Sequence, residues 1–274
     1  MEAKNDPYWY LHVGRASDLT GRDRVYYRLF EMLPAILSLS TLALFAALSF
    51  LRPVWAAYLT IAFSIYWLFK TIYLSVHLRH NYKRMRHNMG LDWNVRLKDL
   101  RYKDVVHLII FPLYLEDYEV VAGSVRALLR AAWDPKTIAV VVSVEARAGD
   151  GQRAIAERIL KEFGPQFLDF QVVVHPANRV GEIIGKGSNI SYAAEEARTR
   201  ILDARGIPYE RVLVSAFDVD TVVYTQYFAC LTWHFLTAEN PARSSFQPIP
   251  LYNNNIWQPP MLSRVIAYSS SFWQ

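Results

Sequence analysis

Cysteine is almost absent: Cys230 is the only one in 274 residues, so no internal disulfide can form. It also lacks the Cys/His spacing of a zinc site, and nothing in the sequence requires an oxidising compartment. Low-complexity tracts are missing, and a composition of 53% hydrophobic and 14% aromatic residues excludes a disordered chain. Charge is missing over a long early block. Met32 to Leu51 holds no charged residue, and Val54 to Val76 holds only Lys70. A secretory signal is excluded because its apolar core would be shorter, nearer the start and followed by a small-residue cleavage site.

What is present is therefore a pair of apolar arms, each with the roughly 20 residues needed to cross a bilayer core. They meet at Arg52-Pro53 and predict a transmembrane hairpin within residues 29–77, with spans at about 32–51 and 54–76. A buried helical pair in a soluble protein is the alternative. Arg15, Arg22, Arg24 and Arg28 precede the hairpin, Arg79, Lys83, Arg84 and Arg86 follow it, and its turn holds only Arg52. The positive-inside rule then puts both termini in the cytoplasm and predicts a multi-pass protein of the cell membrane. Trp55 and Tyr58 at one end of the second arm, and Tyr66, Trp67 and Tyr73 near the other, suit the two interfaces. Lys70 is close enough to the arm's end to snorkel toward headgroups. The formal net charge of +5 raises the question of nucleic acid, yet the cations crowd the apolar block. The run Arg79–His87 is accordingly read as the flank that sets topology, beside membrane lipids, and no nucleic-acid partner is expected.

The order expected along the chain is a cytoplasmic segment over 1–28, the hairpin over 29–77, a basic connector over 78–103 and a folded domain over 104–274. In that domain the pattern changes to short β-branched runs separated by amphipathic stretches of helix length. Strands are expected at Val105–Phe111, Ile138–Val144, Phe170–Val174 and Val212–Phe217, and helices near Tyr118–Ala132, Gln152–Phe163, Ser188–Ala204 and Thr225–Thr237. Strands apolar throughout are covered on both faces, which implies a parallel sheet with helical crossovers, an α/β fold of Rossmann-like type. A proline-limited strand at Phe246–Pro250 and a helix-like segment after Asn253–Asn255 complete the pattern. Open α/β sheets bind ligands beyond the C-terminal ends of their strands, so the residues after each run carry the functional weight.

After the first strand, Pro112 is expected to stop the ladder, leaving Tyr114 to stack and Glu116 to accept hydrogen bonds, or to favour the next helix start. After the second strand comes another acid, Glu145. After the fourth, Asp218 and Asp220 lie one residue apart, so an extended backbone points both to one side, where they could share a hard cation. A surface turn is the bland alternative. The segment Gly181–Ser191 opens a helix with glycines beside Lys186, a phosphate-binding arrangement, with Ser188 or Asn189 as an ordinary helix cap otherwise. It is not a Walker loop, because only three residues separate Gly181 from Gly185 and Gly187 follows Lys186. The missing Gly-x-Gly-x-x-Gly after the first strand excludes a Rossmann oxidoreductase.

Taken together, residues 104–274 and the hairpin resemble a membrane-bound family 2 glycosyltransferase of the GT-A fold, similar to bacterial cellulose and hyaluronan synthases. Pro112, Tyr114 and Glu116 match the family's Pro-x-Tyr-x-Glu turn, with Leu115 in place of the usual Asn. Glu145 stands where the family has its nucleobase-facing acid. Lys186-Gly187-Ser188-Asn189-Ile190-Ser191 is similar to Lys-Ala-Gly-Asn-Leu-Asn, and Asp218-Val219-Asp220 matches Asp-x-Asp. The resemblance implies that Pro112, Tyr114, Glu116, Glu145, Lys186, Asn189 and Asp218 bind a nucleotide-diphosphate sugar, a UDP-sugar first. It implies that Asp220 with Asp218 holds Mg²⁺ or Mn²⁺, and that a glycan or lipid-linked acceptor receives the sugar by inversion. The family's later Thr-Glu-Asp base and Gln-x-x-Arg-Trp segment do not occur, and no Asp or Glu follows Glu239. The expectation is a chain holding the donor half of the site, inactive alone, with the catalytic base beyond residue 274. A non-catalytic membrane-anchored nucleotide-sugar-binding or scaffold subunit is the rival reading.

Overall fold

The computed structural model describes residue 10 and residues 13–179, 182–251 and 260–270. The chain divides into two compact units, one of residues up to Met85 with residues 182–183, the other of Arg86–Arg179 and the described residues from Ile184 onward.

The first unit is dominated by α1 (Gly21–Leu51) and the greater part of α2 (Pro53–Met89), with Arg52 the one residue between them outside a helix. Pro53 opens α2, where its missing N–H costs nothing. At about 1.5 Å per residue, the 31 and 37 residues of the two helices exceed the roughly 30 Å of a bilayer core. Both run past the apolar arms at their charged ends. No residue of α1 is buried and only Ala56 of α2 is, so their apolar side chains meet no protein core. Length, apolar composition and exposure are compatible with membrane association. The hydroxyls that interrupt the arms bond back within their own helix, as Ser38 Oγ does to the Pro34 carbonyl and Thr71 Oγ1 to that of Trp67, which removes their need for water.

The second unit begins with α3 (Trp93–Leu97), capped by the Asp92 carboxylate on the Asn94 and Val95 amides. It continues as β1 (Val106–Leu113), α4 (Tyr118–Arg130), β2 (Ile138–Glu145), α5 (Asp150–Phe163), β3 (Asp169–His175), α6 (Lys186–Ala197), β4 (Val212–Ala216), α7 (Tyr227–Thr237) and α8 (Met261–Ser270). The four strands are all parallel, in the order β3-β2-β1-β4. Successive residues of the inner strands enter opposite cores. Ile109, Phe111, Val140 and Val142 pack with Val121, Val125 and Leu128 of α4 and Ile159 of α5, whereas Leu108, Ile110, Ala139 and Val141 pack with Ala193 and Ala197 of α6. The uninterrupted apolar runs of β1 and β2 follow from this double cover.

Four expectations change. β4 lies at one side of the sheet and alternates buried and exposed residues, with Val214 57% exposed, so it is not covered on both faces. Pro112 does not stop β1, since Pro112 and Leu113 continue the register with Ser143 and Val144. The imino nitrogen is tolerated because Pro112, two residues beyond Ile110, turns its backbone toward β4, whose ladder with β1 ends at Ala216. The long helix over 188–204 is instead α6 followed by a π-helical stretch, Arg198–Asp203. Residues 246–250 form no strand. Asn253–Asn255 and Gly181 lie outside the described residues.

One core group is polar. His107 of β1 is fully buried between Trp133 and Phe228, with Nε2 2.9 Å from Thr232 Oγ1 of α7. Burial holds its pKa down to about 3.

Candidate functional site

Chain order along the sheet creates a crevice. From β1 the chain moves outward through β2 to β3, then returns on the other side of β1 as β4, so the C-terminal ends of β1 and β4 flank a topological switch point. A cleft of about 860 Å³ opens there, within the size range of small-molecule sites. Its walls include Pro112, Tyr114 and Glu116 after β1, Glu145 and Arg147 at the end of β2, Lys186 and Asn189 from α6, and Asp218 and Asp220 after β4. The residues expected to bind the nucleotide sugar and the cation thus line one cleft, although they span more than 100 positions of chain, whereas Gly185, Gly187 and Ser188 are not among the residues that line it.

The local reasons differ by wall. After β4 the chain turns: the Thr221 amide donates to the Asp218 carbonyl at 2.9 Å, so the extended alternation expected to align Asp218 and Asp220 ends at a turn over Val219-Asp220, with Phe217 and Val219 buried at 8% and 4% and both carboxylates exposed at the cleft. The turn is anchored by Phe217 N–H donating to the Ile110 carbonyl at 3.0 Å and Ser124 Oγ–H donating to the Val219 carbonyl at 2.7 Å. After β1, Glu116 Oε2 accepts from the Tyr114 and Leu115 amides at 2.9 and 3.0 Å, so this carboxylate shapes the turn that presents Tyr114.

Glu145 is the buried acid of the cleft and pairs with Arg147 Nε. That hydrogen bond raises the Arg147 pKa, and the guanidinium lies 4.8 Å from the Tyr114 ring centroid. Tyr114, Arg147 and Glu145 therefore form one wall, a flat cation resting on an aromatic face and neutralising the acid behind it. Arg147 was missed by sequence reasoning. The available signal was its spacing, two residues beyond Glu145 on the side facing the cleft.

The fourth wall is the start of α6. Its N-cap is Gly185, with no side-chain cap bond, and Ser188 instead donates its hydroxyl to the Gly185 carbonyl at 2.8 Å. The first amides are thus left for a ligand, in the end of the helix where the dipole favours an anion. A Cβ at Gly185 or Gly187 would meet no atom within 4 Å, so these glycines leave open space. Asn189 faces inward, 1% exposed; its Oδ1 accepts from Ser143 Oγ and its Nδ2 donates to the Ser143 carbonyl at 3.1 Å. Asn189 docks α6 on β2 and places Lys186, rather than capping the helix. Lys186 Nζ pairs with Asp218 Oδ1 across the cleft. Cation and acid are 52% and 67% exposed, a solvent-facing pair able to exchange partners.

Among the described residues, no group of three or more His, Cys, Asp or Glu side chains is arranged to hold a metal ion. Asp218 and Asp220 are two hard oxygen donors, the number Mg²⁺ commonly takes from protein when phosphate oxygens and water supply the rest. Compared with known proteins, the chain matches no protein-family model and no curated protein.

Proposed function

We propose that the α/β unit is the donor-binding part of a membrane-anchored, inverting glycosyltransferase of the GT-A type, resembling family 2 enzymes. Its donor is a nucleotide-diphosphate sugar, a UDP-sugar first, and its acceptor a glycan or lipid-linked sugar. The observation that carries this reading is the meeting of Tyr114, Glu145, Lys186, Asp218 and Asp220 in one cleft at the β1/β4 switch point. A stacking ring and a buried acid suit a nucleobase, and a lysine beside uncapped amides suits a diphosphate. The open start of α6 lets backbone and phosphate approach closely. The two apolar helices fit a bilayer anchor.

Asp218 and Asp220 would hold Mg²⁺ or Mn²⁺, which when bound offsets negative charge developing on the leaving diphosphate. The chain's own contribution is electrostatic: Lys186 and the first amides of α6 stabilise the same charge from the other side. Deprotonating an acceptor hydroxyl requires a base, and the acids here already have partners. Glu116 binds its own turn, Glu145 binds Arg147, and Asp218 binds Lys186. These engaged acids are what favour the second reading, a non-catalytic nucleotide-sugar-binding subunit.

The decisive experiment titrates UDP-sugars, with and without Mn²⁺, into the detergent-solubilised chain and its Asp218→Asn/Asp220→Asn variant. The expected result is cation-dependent binding that the variant loses. Unchanged cation-dependent binding in the variant would overturn the assignment. With donor bound, this chain alone is expected to transfer no sugar to added glycans; robust transfer would overturn both the expectation that it is inactive alone and the non-catalytic reading.

A further inference from the structure

We propose that one face of α2 is a binding surface for anionic phospholipid headgroups, an inference that rests on the membrane-anchor reading. From Met32 to Leu91 the sequence contains no acidic residue, and α2 carries Lys70, Arg79, Lys83, Arg84 and Arg86 with no internal counter-charge. The counter-charge has to come from outside the helix. Cations alone would mark only the topology. Their arrangement adds a second observation: Tyr66, Lys70, Tyr73, His77, His80 and Arg84 recur at intervals of four and three residues on one continuous α-helix. At about 100° per residue they fall within a stripe roughly 80° wide, about 27 Å long.

The stripe changes character along its length as a bilayer leaflet does. At its apolar end Lys70 is held by rings, its Nζ 4.8 Å from the Trp67 centroid and 5.8 Å from that of Tyr66. A charge within an apolar span is costly unless partnered, and these rings supply only part of the compensation. Next come Tyr73 and His77, their rings tilted at 49° with centroids 4.1 Å apart, which offer hydrogen-bond donors where headgroup phosphates begin. His80 and Arg84 follow, exposed in the charged end of α2. A phosphate diester seated against Tyr73 and His77 would meet Lys70 reaching up from below and Arg84 from above. Arg79 and Arg86 lie about 140° and 160° around the helix from Tyr66 and cannot join the same headgroup.

The test uses the full chain in detergent, titrated with phosphatidylglycerol, phosphatidylcholine or inorganic phosphate, with bound molecules counted by native mass spectrometry. Phosphatidylglycerol is expected to bind in preference to phosphatidylcholine, and inorganic phosphate not to bind this face. Lys70→Leu/Arg84→Gln should weaken phosphatidylglycerol binding about fivefold for each cation removed. Arg79→Gln/Arg86→Gln, which removes equal charge from the other side, should leave it within about twofold, and Lys70→Arg should retain it. Equal losses in the two double variants, or no preference for the anionic lipid, would overturn the proposal. Reconstitution into phosphatidylcholine bilayers isolates the underlying reading: a chain that inserts without lipid preference keeps its anchor and loses this site, whereas one that fails to insert loses both.

Discussion

Replacing Lys186 with Met should move two affinities in opposite directions. Lys186 Nζ is paired with Asp218 Oδ1, so a cation arriving alone must displace the ammonium. Both partners are more than half exposed, and exposed pairs contribute about 0–1 kcal/mol, which sets the effect on Mn²⁺ binding alone at up to about fivefold tighter in Lys186→Met. The diphosphate feels the reverse. Lys186 is the cation beside the uncapped amides of α6, and a hydrogen bond to a charged group contributes about 1.5–3 kcal/mol. UDP affinity at saturating Mn²⁺ should therefore fall about 10- to 100-fold. Isothermal titration of the solubilised chain with Mn²⁺, with UDP, and with each in the presence of the other measures all four quantities. The gain in Mn²⁺ affinity should shrink as salt rises, because the ion pair is screened. Parallel losses of Mn²⁺ and UDP would refute the exchange of partners, and unchanged UDP affinity would refute the role of Lys186.

Three further outcomes are expected. Asn189→Ala should destabilise the folded unit by about 2–4 kcal/mol, since it strands the Ser143 hydroxyl and carbonyl in a buried site; near-UV circular dichroism on heating would detect it. His107, held near pKa 3 in the native state against 6.5 unfolded, stays neutral in the fold while the unfolded chain takes up a proton. Its contribution is complete above about pH 6.5 and lost progressively as pH falls toward 3, the loss amounting to about 2 kcal/mol by pH 5, a slope that should flatten in His107→Phe during denaturant titrations. Glu145→Gln and Arg147→Leu should shift the melting temperature non-additively, the double variant being no worse than the poorer single one; additive shifts would show that the pair does not act as a unit.

The sequence by itself determined what depends on near neighbours. Two apolar arms, charged only at Lys70, meet at Arg52-Pro53 and dictate two long helices, α1 running through Pro34 without a break. The apolar runs Ile109–Phe111 and Ile138–Val142 dictate buried parallel strands, because both faces need cover. The spacing of Asp218 and Asp220 predicts an extended alternation, which the turn over Val219-Asp220 interrupts, so that their meeting in one cleft is a tertiary outcome. Tertiary structure decided what depends on distant partners. Which strand lies beside β1 is set by the return of the chain as β4, and only that order brings Asp218 opposite Lys186 and leaves Val214 exposed. Pro112 reads locally as a strand end, yet β1 runs through it because β4 has already stopped. Asn189 looks like a helix cap in sequence and is a buried bracket in the fold, because Ser143 waits 46 residues away. Arg147 became part of the site once Tyr114 was brought beneath it. Each of these outcomes comes from a contact made across the sheet, to which neither local propensity nor residue spacing is sensitive.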